Sequence, residues 1–133
     1  MYSEISRQDK IILPELRFMA RHGVLPQEQE QEQEFRVSLE LVLDLTEAAE
    51  SDELADTLDY GEVYRAVERL MLGPSHRLLE SLASEIAYTL LANDLVQSCR
   101  VRLEKTAAPL SSRVLAPAAV ELVRTVADYG FGQ

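Results

Sequence analysis

Long apolar runs are missing from this chain, and its one cysteine has no partner. The apolar stretch around Ile86 to Ala92 is far too short to cross a bilayer, and Met1 to Lys10 is polar with no apolar signal core. A soluble, unprocessed protein is therefore expected. Cys99 cannot form an internal disulfide, and its place on the apolar side of an alternating stretch predicts a packed thiol rather than a nucleophile. A cytoplasmic location follows from that usage. Positive charge is also short: 13 Lys+Arg stand against 23 Asp+Glu, a formal net charge of −10. Such a balance opposes binding to nucleic acid or to an anionic membrane, so the ligand is expected to be small or recognised locally. Of the two cationic residues lysine is the scarcer, with only Lys10 and Lys105 beside eleven arginines that carry the rest of the positive charge.

That scarcity draws attention to Cys99-Arg100-Val101-Arg102-Leu103-Glu104-Lys105, where apolar and polar residues alternate as in a half-buried strand. On that phase Lys105 shares a face with Cys99, Val101 and Leu103, so an ammonium group ends an apolar row. Unlike arginine, a lysine can lose its proton when desolvated, which makes Lys105 a candidate for proton transfer. The competing reading is a strand-end lysine whose stem covers apolar surface while its head reaches water.

A chain of 133 residues suits one domain. Residues 1–9 lack periodicity and read as a loose leader, 10–126 as a single domain, and 127–133 as a C-terminal tail. Ile11 to Met19 give a first strand over about 10–20, which Pro14 marks as bulged or at an edge. Gly23 and Pro26 punctuate a loop, and Gln29 to Glu34 reads as a solvated turn. Phe35, Val37, Leu39, Leu41, Leu43 and Leu45 then alternate with a mostly polar face, the clearest strand signal in the chain. Thr46 to Asp56 is read as a connection with one helical turn. Asp59 before Tyr60-Gly61-Glu62 predicts an N-cap and a helix beginning at Tyr60, which Gly73-Pro74 ends. A second helix follows, with Leu78, Leu79, Leu82, Ala83, Ile86, Ala87, Leu90 and Leu91 on one broad apolar face and Asn93-Asp94 at its end. The Lys105 strand, a loop over Thr106 to Pro117 and a last strand over Ala119 to Val126 complete the order β-β-α-α-β-β. Strands at both ends with helices between them predict an α+β layer: an antiparallel four-stranded sheet with two helices on one face. Its open outer edges predict assembly into a ring through sheet edges.

Several of these stretches together resemble the dihydroneopterin aldolase family, which has the tunnelling fold of pterin- and purine-binding enzymes. The resemblance runs from Asp9 to Arg124. It rests on Leu16-Arg17-Phe18, on His22-Gly23-Val24-Leu25-Pro26-Gln27-Glu28, on Gln33 and Phe35, and on Asp56 to Val63. It continues in Leu78-Leu79-Glu80-Ser81-Leu82-Ala83 and in Val101 to Lys105. Two departures are visible. After the lysine stand Thr106 to Arg113 in place of a proline-rich loop ending in glycine and histidine, and Glu32 and Arg21 replace a usual glycine and a common aromatic.

The resemblance implies a metal-free and cofactor-free retro-aldol cleavage of 7,8-dihydroneopterin, with Lys105 and Tyr60 as catalytic residues. Glu80 would anchor the pterin, whose ring N–H and exocyclic amine suit a bidentate carboxylate. Leu79, Leu58 and Asp59 would line the pterin site, and Glu28 would face the hydroxylated side chain. Read alone, Glu80 is a surface helix glutamate, Tyr60 an aromatic packed at a helix start, and Glu28 the first member of a solvated Glu/Gln run. A zinc site would have to draw on His22, His76 and Cys99, which lack ligand spacing. The family also implies a homo-oligomer, a tetrameric ring or an octamer of stacked rings, with sites between subunits in which Glu28, Glu80 and Lys105 of one face Tyr60 and the Leu58-Asp59 backbone of its neighbour. An epimerase acting on dihydroneopterin or its triphosphate, and a non-catalytic pterin-binding ring protein, are the alternative functions.

Overall fold

The computed structural model describes residues 8–131. In chain order the elements are β1 (Lys10–Ala20), α1 (Pro26–Glu30), β2 (Gln33–Val42), α2 (Thr46–Ser51), α3 (Tyr60–Met71), α4 (Leu79–Leu91), β3 (Ser98–Ser111) and β4 (Val114–Thr125). Short 3-10 turns at Leu54–Asp56 and Val126–Tyr129 complete the set. The strands form one antiparallel sheet in the order β1-β2-β3-β4, with α3 and α4 packed on one face. The major elements thus follow the expected β-β-α-α-β-β order.

Alternation decides which side of the sheet is buried. Phe35, Val37, Leu39 and Leu41 of β2 and Val101 and Leu103 of β3 are fully enclosed beneath the apolar rows of the helices, Val63, Val67 and Met71 from α3 and Leu82, Ile86 and Leu90 from α4. Removing each such side chain from water contributes about 1.5–3 kcal/mol, and this layer is the main source of stability. The opposite face is a lattice of ion pairs: Arg36 with Glu104, Arg100 with Glu40 and Glu121, and Arg102 with Glu104. Period two therefore separates a dry side from a charged one.

Helix and strand ends follow local chemistry. Asp59 caps α3 by accepting from the Gly61 amide at 2.8 Å. Pro14 sits at the register shift between Leu13 and Leu16, on an edge strand, and the Ser38 hydroxyl donates to its carbonyl at 2.7 Å. Both the bulge and the edge position of the sequence reading are present.

Four expectations need correction. The expected loop over Thr106 to Pro117 is a hairpin: β3 continues to Ser111 and β4 begins at Val114. Alanine and proline there hide the strand signal, and register shifts between Lys105 and Ala108 and between Pro109 and Ser111 absorb the missing proline donor. The last strand accordingly starts before Ala119 and ends at Thr125. The expected solvated turn over Gln29–Glu34 instead holds the end of α1 and, from Gln33, the start of β2, because Pro26 pre-sets the first helical turn. Between Thr46 and Asp56 there are two helical turns, α2 and a 3-10 turn, rather than one.

Of the expected leader, residues 1–7 lie outside the described residues, while Asp9 is tied down by accepting from the amides of Leu43 and Leu45. Of the tail, 132 and 133 lie outside them. The remainder folds back onto α4, where the Tyr129 hydroxyl bonds to Ser84 and the rings of Tyr129 and Phe131 pack against Tyr88.

Leu103→Ala removes a fully buried side chain at the centre of the sheet. A loss of about 2–5 kcal/mol in urea unfolding is expected, with the m-value unchanged.

Candidate functional site

Lys105 ends the inward row of β3, directly opposite Phe35 of β2, at the last position before the register slips. The preceding inward residues place its stem in the core, and only 7% of the residue is exposed. An isolated ammonium there would be costly, and its partner is Glu28, equally buried, with Oε2 at 2.6 Å from Nζ. The structure thus decides against the solvated reading of both residues.

Glu28 reaches this place through the loop before it. The carboxylate Oε1 accepts from the Leu25 amide at 3.3 Å, while Gln33 and Gln29 side chains donate to the carbonyls of Glu28 and Gly23. Gly23 has φ +151°, and a Cβ added there would fall inside the Glu28 carboxyl group. Only glycine lets the acidic side chain lie against this turn.

His22 and Gly23 stitch the loop to the segment between the two long helices. The buried His22 ring donates from Nε2 to the Met71 carbonyl at 2.7 Å and accepts at Nδ1 from the His76 amide at 3.0 Å. The Gly23 amide donates to the His76 carbonyl at 2.9 Å. Both ring nitrogens of His22 are occupied in the neutral Nε2–H form, so it is not free to ligate a metal. Burial holds its pKa below the ordinary 6.5, with the nearby positive charges of His76 and Lys105 acting in the same direction and the Met71 bond opposing them. Among the described residues no three His, Cys, Asp or Glu side chains converge as a metal site. The Cys99 thiol, buried and pushed up to about 11 by desolvation, is the packed thiol expected from its strand phase.

Above the ion pair opens a cavity of about 360 Å³ lined by Val24, Leu25, Glu28, Arg77, Leu78, Leu79, Glu80, Lys105, Ala108 and Pro109. Glu80 stands exposed in the first turn of α4, next to half-buried Leu79, where the helix dipole favours an anion. Four of the sequence candidates, Glu28, Leu79, Glu80 and Lys105, therefore meet in one space. The other three do not join them. Leu58, Asp59 and Tyr60 line a separate, more apolar cavity of about 700 Å³ with Ile11, Leu13, Leu45 and Ala48. Tyr60 is 63% exposed, so it is not an aromatic packed at a helix start. Within one chain the candidates fall into two separate groups.

Sequence reasoning missed the parts that seat Glu28, namely the His22 stitch and the φ of Gly23, and it missed Ala108 and Pro109 as a cavity wall. The adjacent His-Gly pair was the available signal, since a buried histidine followed by a glycine needing positive φ marks an irregular turn. No sequence signal pointed to Ala108.

A family model described as dihydroneopterin aldolase matches residues 11–123. The chain is 39% identical over 121 residues to the dihydroneopterin aldolase of Methylorubrum extorquens, covering 90% of this chain and 92% of that one. It is 33% identical over 117 residues to that of Bacillus subtilis, covering 87% and 97%. Among solved structures, the Escherichia coli dihydroneopterin aldolase in complex with neopterin superposes with a TM-score of 0.78 at 30% identity, covering 87% of this chain and 98% of that one.

Two outcomes follow from the seat of Glu28. Gly23→Ala is expected to cost about 1–3 kcal/mol in urea unfolding, because it strains the turn and displaces the carboxylate that pairs with Lys105. His22 makes stability pH-dependent: its folded pKa lies below 6.5, so its contribution is complete above that value and is lost as pH falls through the folded pKa. Stability measured between about pH 6.5 and 5 should fall more steeply for the parent than for His22→Gln, which keeps a donor toward Met71 but does not titrate.

Proposed function

The chain belongs to the dihydroneopterin aldolase family, the lyases of pterin and folate biosynthesis, and on that premise we propose that it cleaves 7,8-dihydroneopterin at a site completed by a second copy of itself. The observation that carries this reading is the division of the candidates into two half-sites: a buried Lys105–Glu28 pair below Glu80, and an exposed Tyr60 beside Leu58 and Asp59 on a different surface. An exposed tyrosine at the mouth of an apolar cavity gains a role only when another subunit meets it.

Each group has a distinct task. Glu80 accepts from the ring N–H and exocyclic amine of the pterin, and the apolar Leu79 and Leu25 cover the ring faces. Leu58 and Asp59 of the neighbouring copy close the pocket from the other side. Lys105 takes the proton of the 2′ hydroxyl, and Glu28, 2.6 Å from Nζ, both holds that nitrogen in place and is the nearest acceptor for the proton it sheds. As the 2′ oxygen becomes a carbonyl, the C1′–C2′ bond breaks and its electrons enter the C6=N5 imine of the ring. Glycolaldehyde leaves. Tyr60, through a water, returns a proton to C1′, which yields 6-hydroxymethyl-7,8-dihydropterin. The substrate supplies its own electron sink, so neither a Schiff base nor a metal takes part.

The ring is a homo-oligomer, a tetramer or a stacked octamer, and the open edges of β1 and β4 are the surfaces through which it closes. A cytoplasmic setting is supported by the single cysteine, which is buried as a free thiol. Similarity to named aldolases favours cleavage over the epimerase and the non-catalytic readings.

Incubation with 7,8-dihydroneopterin should release both products, and Lys105→Ala should lower the rate by about 10² to 10⁴. Lys105→Ala and Tyr60→Phe should each be nearly inactive alone. When the two are co-assembled at equal amounts, random pairing leaves about a quarter of the sites with both native groups, and activity should return toward that fraction. Failure of complementation in mixed oligomers would sink the shared site while leaving the cleavage assay to judge the reaction itself.

A further inference from the structure

Four arginines on the sheet are met by carboxylates: Arg17 by Glu15, Arg36 and Arg102 by Glu104, and Arg100 by Glu121. Helix α3 departs from that pattern. Arg65 and Arg69 have no ion-pair or hydrogen-bond partner among the described residues, although the chain carries 23 acidic residues. One turn apart, they share a helix face at a like-charge spacing that destabilises a helix left to itself. Both line a groove of about 410 Å³ between α3 and the C-terminal half of α4, whose other polar walls are Thr89, Asn93 and Glu62. The Asn93 side-chain oxygen Oδ1 accepts from the Leu95 amide at 2.9 Å, so the remaining hydrogen-bonding capacity of this lining residue is that of its NH₂ donor. Glu62 is the one carboxylate in that lining, and it forms no ion pair with either arginine, so the groove keeps an excess of positive charge.

We propose that this groove is a second ligand site, separate from the pterin cavity, for a small phosphate-bearing anion. Two guanidinium forks on one face can engage several oxygens at once, which a phosphate or pyrophosphate presents and a single carboxylate does not. The bound anion also removes the repulsion between the arginines. Leu58 lines both this groove and the Tyr60 cavity, so the two spaces share a wall. The proposal stands on α3 and α4 alone and does not rest on the cleavage reaction.

Calorimetric titration of the full chain with inorganic pyrophosphate, at constant ionic strength, tests it. Saturable binding is expected, weakened by about tenfold or more in an Arg65→Gln/Arg69→Gln double variant, since each lost charged hydrogen bond is worth at least that factor. Glu62→Gln should instead tighten binding, because it removes the opposing charge. ATP and phosphorylated dihydroneopterin, which present the same group, are then compared as competitors, and displacement by either identifies the class that carries the phosphate. Absence of saturable binding by the parent overturns the proposal. So does unchanged binding in the double variant, or a loss seen instead in Arg77→Gln, which would move the anion to the rim of the other cavity.

Discussion

The buried ion pair between Lys105 and Glu28 is the constraint to which the rest of the site is fitted. Two charges taken out of water are tolerated only with close geometry and further hydrogen bonds, and removing one partner from such a pair costs about 3–5 kcal/mol. Each side of the pair is held by a different kind of structure. The lysine is fixed by strand register, with the whole inward row of β3 behind it. The glutamate is fixed by a turn, through the Leu25 amide and the space left by Gly23. A rigid sheet and a tailored loop meet at one 2.6 Å contact.

That loop is in turn secured to the helical layer rather than to the sheet. His22 joins Met71 at the end of α3 to the His76 backbone, and Gly23 adds a second bond to the same residue. The His76 ring then reaches Ser81 and Glu85 on α4. Helix packing, loop and ion pair form one connected unit, and a change in the seating of either long helix would be felt at the carboxylate.

How much of this could be read from the sequence depends on the length scale of the cause. Period-two alternation put Lys105 on the apolar face, and burial bears that out, because strand phase is a local property. The N-cap at Asp59 and the helix starting at Tyr60 were local as well. Glu28 was legible as a candidate only through the family resemblance, since a glutamate in a Glu/Gln run carries no sign of burial. Its burial arises from a lysine 77 positions away and from a backbone angle at Gly23. The hairpin beyond Lys105 escaped for a related reason: alanine and proline have little strand preference, and pairing with β4 overrides it. The separation of Tyr60 from Lys105 was expected only from the family resemblance, which sets Tyr60, Leu58 and Asp59 on a neighbouring subunit; no pattern of the residues themselves shows it.

The register slip after Lys105 divides β3 into two parts with different freedoms. Up to the lysine, every residue is locked between β2 and β4, and a change in phase would expel the ammonium from the core. From Ala108 onward the strand pairs only with β4 and leans over the cavity mouth as a wall of Ala108 and Pro109, while the hairpin end carries exposed Leu110 of β3 and Leu115 of β4. The bulge works as a mechanical joint. Substitutions in the hairpin can reshape the cavity wall without shifting the paired register that holds Lys105. Cavity wall and ion pair are adjacent along the chain yet held by different strand pairings, which makes this hairpin the natural segment to vary when the shape of the cavity is to be changed.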